Sequence, residues 1–403
     1  IIGGIWDVAR KLGFNGGTAL EPGAGIGHFI GTQPTDLAGK TDWTAVELDH
    51  TSARILSKLY PQARVNSMDA GQPDRSIEGE GYEDAIIPNN SIDLAISNVP
   101  FARQGPFKAE KEQGMKMNLH NYFFARSLDK VRPGGIVAFI TTSNTMESAR
   151  KQRELLASKS EFIGALRLPN NAFKANAGTE VTTDVIFLRK PLGDKDTSLD
   201  QPWLNKEAVG TDTVSHNPFS SFNRNYDPKV THAEFHDKLL QIPIGWKPVS
   251  PKLAKAWEVW SKNRPASGMA YKIVRKEWEA IGRDEKDKWT PVEFTAPVVV
   301  NEYFAQHPEN VLGRSAMSGS MYGPAEYTVE DSGKDIASEF TRFAESLPEG
   351  IMTKKKAKAE PKKKLAKGKV KATKGKATKG KATKGRAPIK GKATKGRAAS
   401  KGK

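Results

Sequence analysis

Short apolar runs alternate with segments of helical periodicity through the first half of the chain. The opening segment, residues 2–13, places Ile5, Val8, Ala9 and Leu12 on one face, which predicts an amphipathic helix. Further helices are predicted at residues 26–31, 51–59, 119–131 and 147–158. Strands are predicted at Thr18–Glu21, Thr44–Leu48, Arg64–Asn66, Ile92–Ser97, Gly135–Thr141, Ile163–Leu168 and Thr183–Leu188. This alternation favours a mostly parallel sheet with helices on both faces.

A glycine-rich segment follows the first predicted strand, with the sequence Glu21-Pro22-Gly23-Ala24-Gly25-Ile26-Gly27. Ligands of open α/β sheets bind beyond the carboxyl ends of the strands, and glycines let a cofactor approach the backbone closely. The spacing is G-x-G-x-G, which differs from the G-x-G-x-x-G of dinucleotide sites. The carboxylate of Glu21 would repel a pyrophosphate, but it suits a cofactor that carries an ammonium and a sulfonium. An ordinary tight turn is the alternative interpretation of this loop.

Acidic residues also follow the second and third predicted strands, in Glu47-Leu48-Asp49 and in Met68-Asp69-Ala70. A carboxylate after the second strand can accept hydrogen bonds from both hydroxyls of a ribose, and Asp69 can accept one from an adenine amino group. Taken alone, each acid is better explained as a solvated turn residue or a helix cap. Their occurrence after successive strands favours a nucleoside-containing cofactor.

Four segments resemble, in order, motifs I to IV of the class I S-adenosylmethionine-dependent methyltransferases: LEPGAGIGHF, AVELD, NSMDA and SNVPF. The motif order and the N-x-P-F form resemble the DNA adenine-N6 methyltransferases. The resemblance implies a Rossmann-like α/β fold with a mostly parallel seven-stranded methyltransferase sheet, and S-adenosyl-L-methionine as the cofactor. It also implies a set of cofactor-binding residues: Glu21, Pro22, Gly23, Gly25, Gly27, Glu47 and Asp69.

Two longer segments carry the resemblance further. Residues 166–190 are similar to the closing hairpin of those enzymes, with Phe173 as a candidate second aromatic face of a base pocket. Residues 300–313 (VNEYFAQHPENVLG) resemble a segment of phage and plasmid methyltransferase–helicase fusion proteins, which adds a helicase module to the expected partners. In the family, a motif that contacts the methionine end of the cofactor precedes the first helix. We therefore expect that wall of the pocket to come from elsewhere or to be absent.

The residues Asn98-Val99-Pro100-Phe101 follow the fourth predicted strand and carry the expected chemistry. An exocyclic amine is a poor nucleophile, and two acceptors on its hydrogens would aim its lone pair at a methyl group. The resemblance assigns these roles to the Asn98 side chain and the Val99 carbonyl. Pro100 would stiffen the turn, and Phe101 would stack on a flipped base, worth ~1–3 kcal/mol.

Several alternatives remain open for this motif. A guanine N2 group of RNA or a glutamine amide of protein presents the same planar NH2 problem as adenine. A strand-ending turn with a core Phe would produce the same four residues. A non-catalytic DNA-binding or antirestriction protein that retained the fold is a further alternative to the DNA methyltransferase. This alternative stays open because Val99 stands where the family more usually has a proline.

Composition restricts the other classes of function. The absence of cysteine excludes disulfide scaffolds, thiolate zinc sites and cysteine nucleophiles. The seven histidines show no metal-ligand spacing, and no apolar run reaches the ~18 residues that span a bilayer. We therefore expect no metal and no membrane insertion.

The chain is predicted to divide into four regions: a methyltransferase domain at 1–192, an accessory or target-recognition region at 193–313, a helical or linker segment at 314–352, and a basic tail at 353–403. The tail repeats KATKG and holds 22 of the 63 Lys and Arg but one of the 46 acids, so residues 1–352 have a net charge of −4. With almost no apolar side chains, the tail is expected to be disordered and to bind DNA phosphates without sequence preference. We accordingly expect a cytoplasmic, nucleoid-associated protein of a bacterial or phage-infected cell.

Overall fold

A computed structural model describes most of the chain before residue 353, namely residues 1–67, 87–101, 117–147, 150–178, 180–193, 201–216, 230–283, 289–318 and 326–352. The described residues belong to one compact unit. The predictions made for Asp69 and for the basic tail fall outside the described residues, and they remain predictions.

Seven strands form the central sheet: β1 (Gly17–Pro22), β2 (Thr41–Glu47), β3 (Arg64–Ser67), β4 (Ile92–Asn98), β5 (Val131–Thr142), β6 (Glu161–Leu168) and β7 (Thr183–Arg189). The strand order is β3-β2-β1-β4-β5-β7-β6, and β7 is antiparallel to both of its neighbours. The predicted Rossmann-like, mostly parallel seven-stranded sheet is therefore confirmed. Each predicted strand overlaps an observed one, with the largest difference at β5, which begins four residues early.

Twelve helices are present among the described residues: α1 (Ile2–Lys11), α2 (His28–Gly31), α3 (His50–Leu59), α4 (Leu119–Lys130), α5 (Asn144–Glu147), α6 (Arg150–Lys159), α7 (Lys174–Ala177), α8 (His232–Leu240), α9 (Pro251–Trp260), α10 (Met269–Gly282), α11 (Glu302–Gln306) and α12 (Ile336–Ser346). Side chains of β4 alternate between the two faces of the sheet, as the strand period requires. Leu94 and Ile96 lie in the core with α1 and α12, whereas Ala95 lies in the core with α4 and α6. Both faces of the sheet are thus covered.

The accessory region has a core of its own. Strands β8 (Lys206–His216), β9 (Lys247–Pro248) and β10 (Val292–Asn301) form an antiparallel sheet in the order β8-β10-β9. Helices α8, α9 and α10 pack with this sheet around buried tryptophans, including Trp257, Trp260 and Trp278. These rings are interior packing groups, so they present no surface for stacking a base. The assignment of the region to target recognition remains a prediction.

Residues 300–318 attach this region to the edge of the central sheet. The Tyr303 hydroxyl accepts a hydrogen bond from the Ala165 N–H (3.2 Å), and the Leu312 N–H donates to the Arg167 carbonyl (2.8 Å). The Ala165 N–H and the Arg167 carbonyl both belong to β6, which is an edge strand of the sheet. The segment that resembles the fusion proteins is therefore a structural joint between two cores.

Residues 314–352 contain two ordered elements. Strands β11 (Gly313–Ser318) and β12 (Glu326–Asp331) form an antiparallel hairpin, and α12 follows it. Phe340 and Phe343 of α12 are buried in the same core as α1. This part of the chain completes the covering of one face of the central sheet.

Candidate active site

A cavity of about 680 Å³ opens at the carboxyl edge of the central sheet. Because β1 and β4 are neighbours, the glycine loop after β1 lies beside Asn98 at the end of β4. The cavity is lined by Ile2, Glu21, Gly23, Ala24, Gly25, His28, Phe29, Asn98, Ile140, Phe173 and Ala175. The structure thus brings together two predicted motifs that lie more than seventy residues apart in the chain.

The glycine loop needs glycine for two different reasons. Gly23 (φ +69°) and Gly27 (φ +86°) have left-handed backbone conformations that L side chains rarely adopt. A Cβ at Gly27 would lie 2.4 Å from Leu56 Cδ1, and one at Gly23 would lie 3.2 Å from Pro100 Cδ. Gly23 therefore packs directly against the N-x-P-F turn, while Gly27 packs against α3 and is not among the residues that line the cavity.

Glu21 is the buried acid of the cavity, with 2% of its surface exposed. One carboxylate oxygen accepts a long hydrogen bond from the Phe29 N–H (3.4 Å), and the other has no hydrogen-bond partner among the described residues. Burial raises the pKa of Glu21 to about 8, and the charge of Glu47 adds to the rise, although the N–H groups of Phe29 and Ile30 oppose it. At neutral pH this carboxyl is protonated unless a cation enters the cavity.

Glu47 holds the glycine loop in place. Its carboxylate accepts hydrogen bonds from the Gly25 N–H (2.6 Å) and from the Asp49 N–H (2.8 Å). Asp49 in turn caps α3 by accepting from the Ser52 N–H (2.8 Å). Both acids therefore support the backbone, and Glu47 does not line the cavity. A bond from Glu47 to a ribose remains a prediction, as does the role of Asp69.

The N-x-P-F turn presents its amide to the cavity. Asn98 is exposed at the end of β4, whereas Val99 is 1% exposed and its N–H donates to the Ile140 carbonyl (3.1 Å). The Ser97 hydroxyl donates to the Pro22 carbonyl (2.5 Å), which ties β4 to the glycine loop. A main chain anchored in this way leaves the Asn98 side chain directed to the ligand space.

The rest of the turn is held from behind. The Pro100 carbonyl accepts a hydrogen bond from His120 Nδ1 (3.3 Å), and burial lowers the pKa of that imidazole. Phe101 is partly buried against the core that includes Phe29. Pro22 lies in β1 and, like Pro100 and Phe101, is not among the residues that line the cavity.

Several residues of the site were missing from the sequence-based prediction. Ile140 lines the cavity because it pairs with Asn98 in the β4–β5 register, and an apolar strand residue carries no signal of its own for this position. Ile2 and Ala175 enter the site from α1 and α7. His120 could have been suspected only from its position at the start of a helix that packs behind the turn. Phe173 also lines the cavity, and its role as a second aromatic face for a base remains a prediction.

Neither a metal site nor a membrane span is found in the part of the chain that the structure describes. No three His, Asp or Glu side chains converge there in a way that could hold a metal ion. None of its helices is both long enough and apolar enough to cross a bilayer.

Comparisons with known proteins give one sequence relative. No family model matches the chain. Over 192 residues it is 33% identical to the Defense against restriction protein B of Escherichia phage P1, a match that covers 46% of this chain and 8% of the phage protein. The chain thus spans less than a tenth of the length of that relative.

Solved structures with similar sheets include three bacterial proteins. A modification subunit assigned to a type I restriction enzyme from Vibrio vulnificus YJ016 has a TM-score of 0.39 at 12% identity, covering 77% of this chain and 59% of that one. The type I restriction-modification methyltransferase subunit from Streptococcus thermophilus has a TM-score of 0.37 at 15% identity, and the match covers 46% of this chain and 43% of that one. A TehB-like SAM-dependent methyltransferase from Corynebacterium glutamicum has a TM-score of 0.31 at 15% identity, and the match covers 46% of this chain and 87% of that one. Scores this low carry no argument about activity, so the fold assignment rests on the sheet itself.

Proposed function

We propose that this chain is an S-adenosylmethionine-dependent methyltransferase that transfers a methyl group to the N6 amino group of adenine in DNA. One observation carries the proposal: a single cavity holds the buried acid Glu21, the glycine loop and the exposed amide of Asn98. A cationic donor and a planar amine would have to meet in such a space.

The glycine-loop side of the cavity fits the cofactor. Glu21 has a buried oxygen with no hydrogen-bond partner among the described residues, and an ammonium group would satisfy it while favouring the ionised carboxylate. Gly25 offers open space, since a Cβ there would meet no atom within 4 Å. S-adenosylmethionine supplies an electrophilic methyl group on a sulfonium when bound. Asp69 remains a proposed contact to its adenine.

The Asn98 side of the cavity fits the acceptor. The Asn98 side-chain oxygen and the Val99 carbonyl would each accept a hydrogen bond from the NH2 group, which concentrates the nitrogen lone pair towards the methyl group. The nitrogen–carbon bond forms as the sulfur–carbon bond breaks, and the nitrogen then releases one proton to solvent. Phe173 in the cavity wall and the nearby Phe101 are the proposed stacking faces for the base.

The phage relative supports the biological setting. Its name describes a defence against restriction, and methylation of adenine would protect DNA from a restriction enzyme that reads that base. DNA is accordingly the proposed partner, and a helicase module is a further prediction from the resemblance of residues 300–313. A non-catalytic antirestriction role is the second candidate, because the relative's name specifies defence and not chemistry.

Mass spectrometry of nucleosides from DNA incubated with protein and cofactor tests the proposal. N6-methyladenine should accumulate with the wild-type protein, should be lost in Asn98→Ala, and should persist in the control Asn263→Ala, which changes an exposed amide of the accessory region. Parallel reactions with RNA and protein and a tritium-labelled cofactor separate the alternatives. Label in protein or RNA alone would refute the DNA substrate, and label in none of them would favour the non-catalytic role.

The basic tail is proposed to tether the chain to DNA. Deletion of residues 353–403 removes 22 basic residues, so DNA retention should weaken and the dependence of affinity on salt should become less steep, by ~0.9 in log–log slope for each phosphate lost. Fluorescence anisotropy at several salt concentrations measures both effects. An unchanged slope would show that the tail does not engage phosphates.

A further inference from the structure

The hairpin β11–β12 contacts the cavity wall from outside. The wall is formed in part by residues 169–178, which follow β6, include α7 and carry Phe173 and Ala175. The hairpin lies far along the chain from this segment, yet several hydrogen bonds join the two. None of these bonds contributes to the sheet of seven strands.

The bonds are concentrated around Thr182, which is buried just before β7. Its hydroxyl oxygen accepts from the Val329 N–H (3.0 Å) and lies 3.2 Å from the Thr328 hydroxyl. Its carbonyl accepts from the Ser143 N–H (3.1 Å) at the exit of β5. Thr182 therefore connects the hairpin to the edge of the sheet from which Ile140 enters the cavity.

The segment of the wall is bonded to the same hairpin strand. The Asn170 N–H donates to the Val329 carbonyl (2.8 Å), and the Asn170 carbonyl accepts from the Val181 N–H (2.9 Å). The Asn171 side chain donates to the Asp331 carboxylate (2.9 Å). These bonds fix Asn170 and Asn171 to β12, and Phe173 follows them in the same segment.

A buried ion pair lies beneath these contacts. Arg167 on β6 donates two hydrogen bonds to Asp184 on β7 (2.7 and 2.9 Å), and both side chains are fully buried. The same guanidinium lies over the ring of Tyr327 in β12, 5.0 Å from its centroid. A shift of the hairpin along the sheet would therefore break the cation–π contact between the Arg167 guanidinium and the Tyr327 ring.

We infer that Thr182 is a positioning residue, which acts through the β11–β12 hairpin to hold the Phe173 wall of the cavity in the place where the acceptor base binds. The inference rests on the proposed function for the identity of the base. The support that the β11–β12 hairpin gives to residues 169–178, which we call the brace, rests only on the contacts above. The two parts can therefore fail separately.

Hydrogen–deuterium exchange of the full chain tests the brace. Thr182→Val keeps the shape of the side chain but removes the acceptor of the Val329 N–H, and we expect exchange in residues 169–178 to accelerate about tenfold. Thr182→Ser restores the hydroxyl and should exchange within about twofold of wild type. Arg314→Ala is the matched control, because its ion pair with Glu330 lies within the hairpin and on the surface. Asn171→Ala, also exposed, is a second test that should not affect folding.

Methyl-transfer kinetics test what the brace does. Thr182→Val should raise KM for DNA about five- to tenfold, while the dissociation constant of the cofactor stays within about twofold, because the described hydrogen bonds of Glu21 and of the Gly25 N–H are made with Phe29 and Glu47, which lie outside the hairpin. Exchange equal to wild type in both Thr182→Val and Asn171→Ala would overturn the brace. Faster exchange with unchanged KM would overturn its positioning role. If the wild-type protein transfers no methyl group, the proposed function fails while the exchange result still decides the brace.

Discussion

The buried carboxyl of Glu21 should make the stability of the unliganded protein fall as the pH rises. Its pKa is about 8 in the folded protein, against an ordinary value of 4.5 in an unfolded chain. Between these two values the unfolded chain has already lost the proton that the folded protein retains. The unfolded state therefore binds fewer protons, and the free energy of unfolding decreases with pH in this window.

The size of the effect follows from the two pKa values. Integrating the proton difference between pH 5 and pH 8 gives a loss of about 3–4 kcal/mol, and the full difference above pH 8 is about 5 kcal/mol. The conversion applies without discount for solvent because Glu21 is 2% exposed and its second oxygen has no partner among the described residues. The negative charge of Glu47 also raises the pKa of Glu21, so it acts in the same direction as burial.

Glu21→Gln removes the titrating group while keeping its size. Urea denaturation of the full chain without cofactor, at pH 5 and pH 8, should show that the variant loses less stability than wild type by about 3–4 kcal/mol. Glu349→Gln is the control, since that carboxylate is 81% exposed and should leave the pH dependence unchanged. Parallel pH curves for wild type and Glu21→Gln would refute the reasoning, because they would show that Glu21 is ionised in the folded protein.

Three further predictions concern the site and its support. Asn98→Ala should slow methyl transfer in single-turnover assays by about 10²-fold or more, with the cofactor dissociation constant from calorimetry within about twofold; equal losses in both would place Asn98 in cofactor binding. Gly23→Ala should cost about 1–3 kcal/mol in urea denaturation because of its positive φ and its tight contact. Gly25→Ala shares a positive φ (+56°) but has open space around it, so it should cost less, and the reverse order would contradict the packing. Asp184→Asn should destabilise by about 1.5–3 kcal/mol because Arg167 loses a fully buried counter-charge and keeps the Glu147 carboxylate at 3.0 Å, and an unchanged urea midpoint would show that the pair with Asp184 is dispensable.

Local sequence patterns were sufficient for much of the central domain. Most strands of the sheet contain an apolar run with β propensity, a property that depends on neighbours a few residues away, although β3 (Arg64–Ser67) is largely polar. The glycine loop and Asn98 could be placed at one edge because the carboxyl ends of adjacent parallel strands meet there in any such sheet. Phe173 was placed near the same edge by the resemblance of its segment.

Other features depended on contacts that no local pattern encodes. The tryptophans at 257, 260 and 278 could have been a stacking surface or a core, and only packing against β10 made them interior. Glu47 has the position of a ribose ligand in sequence, yet in the structure its carboxylate holds the Gly25 N–H.

The sequence by itself determined which segments of the central domain form strands and helices and in what order they follow along the chain, because helix and strand periods are properties of short segments. Tertiary structure alone decided how residues 300–352 are used. Thr182 and Val329 are 147 positions apart, and their hydrogen bond requires the β11–β12 hairpin to lie against the edge of the central sheet. A contact of that separation depends on the relative placement of whole elements, which hydrophobic periodicity does not specify.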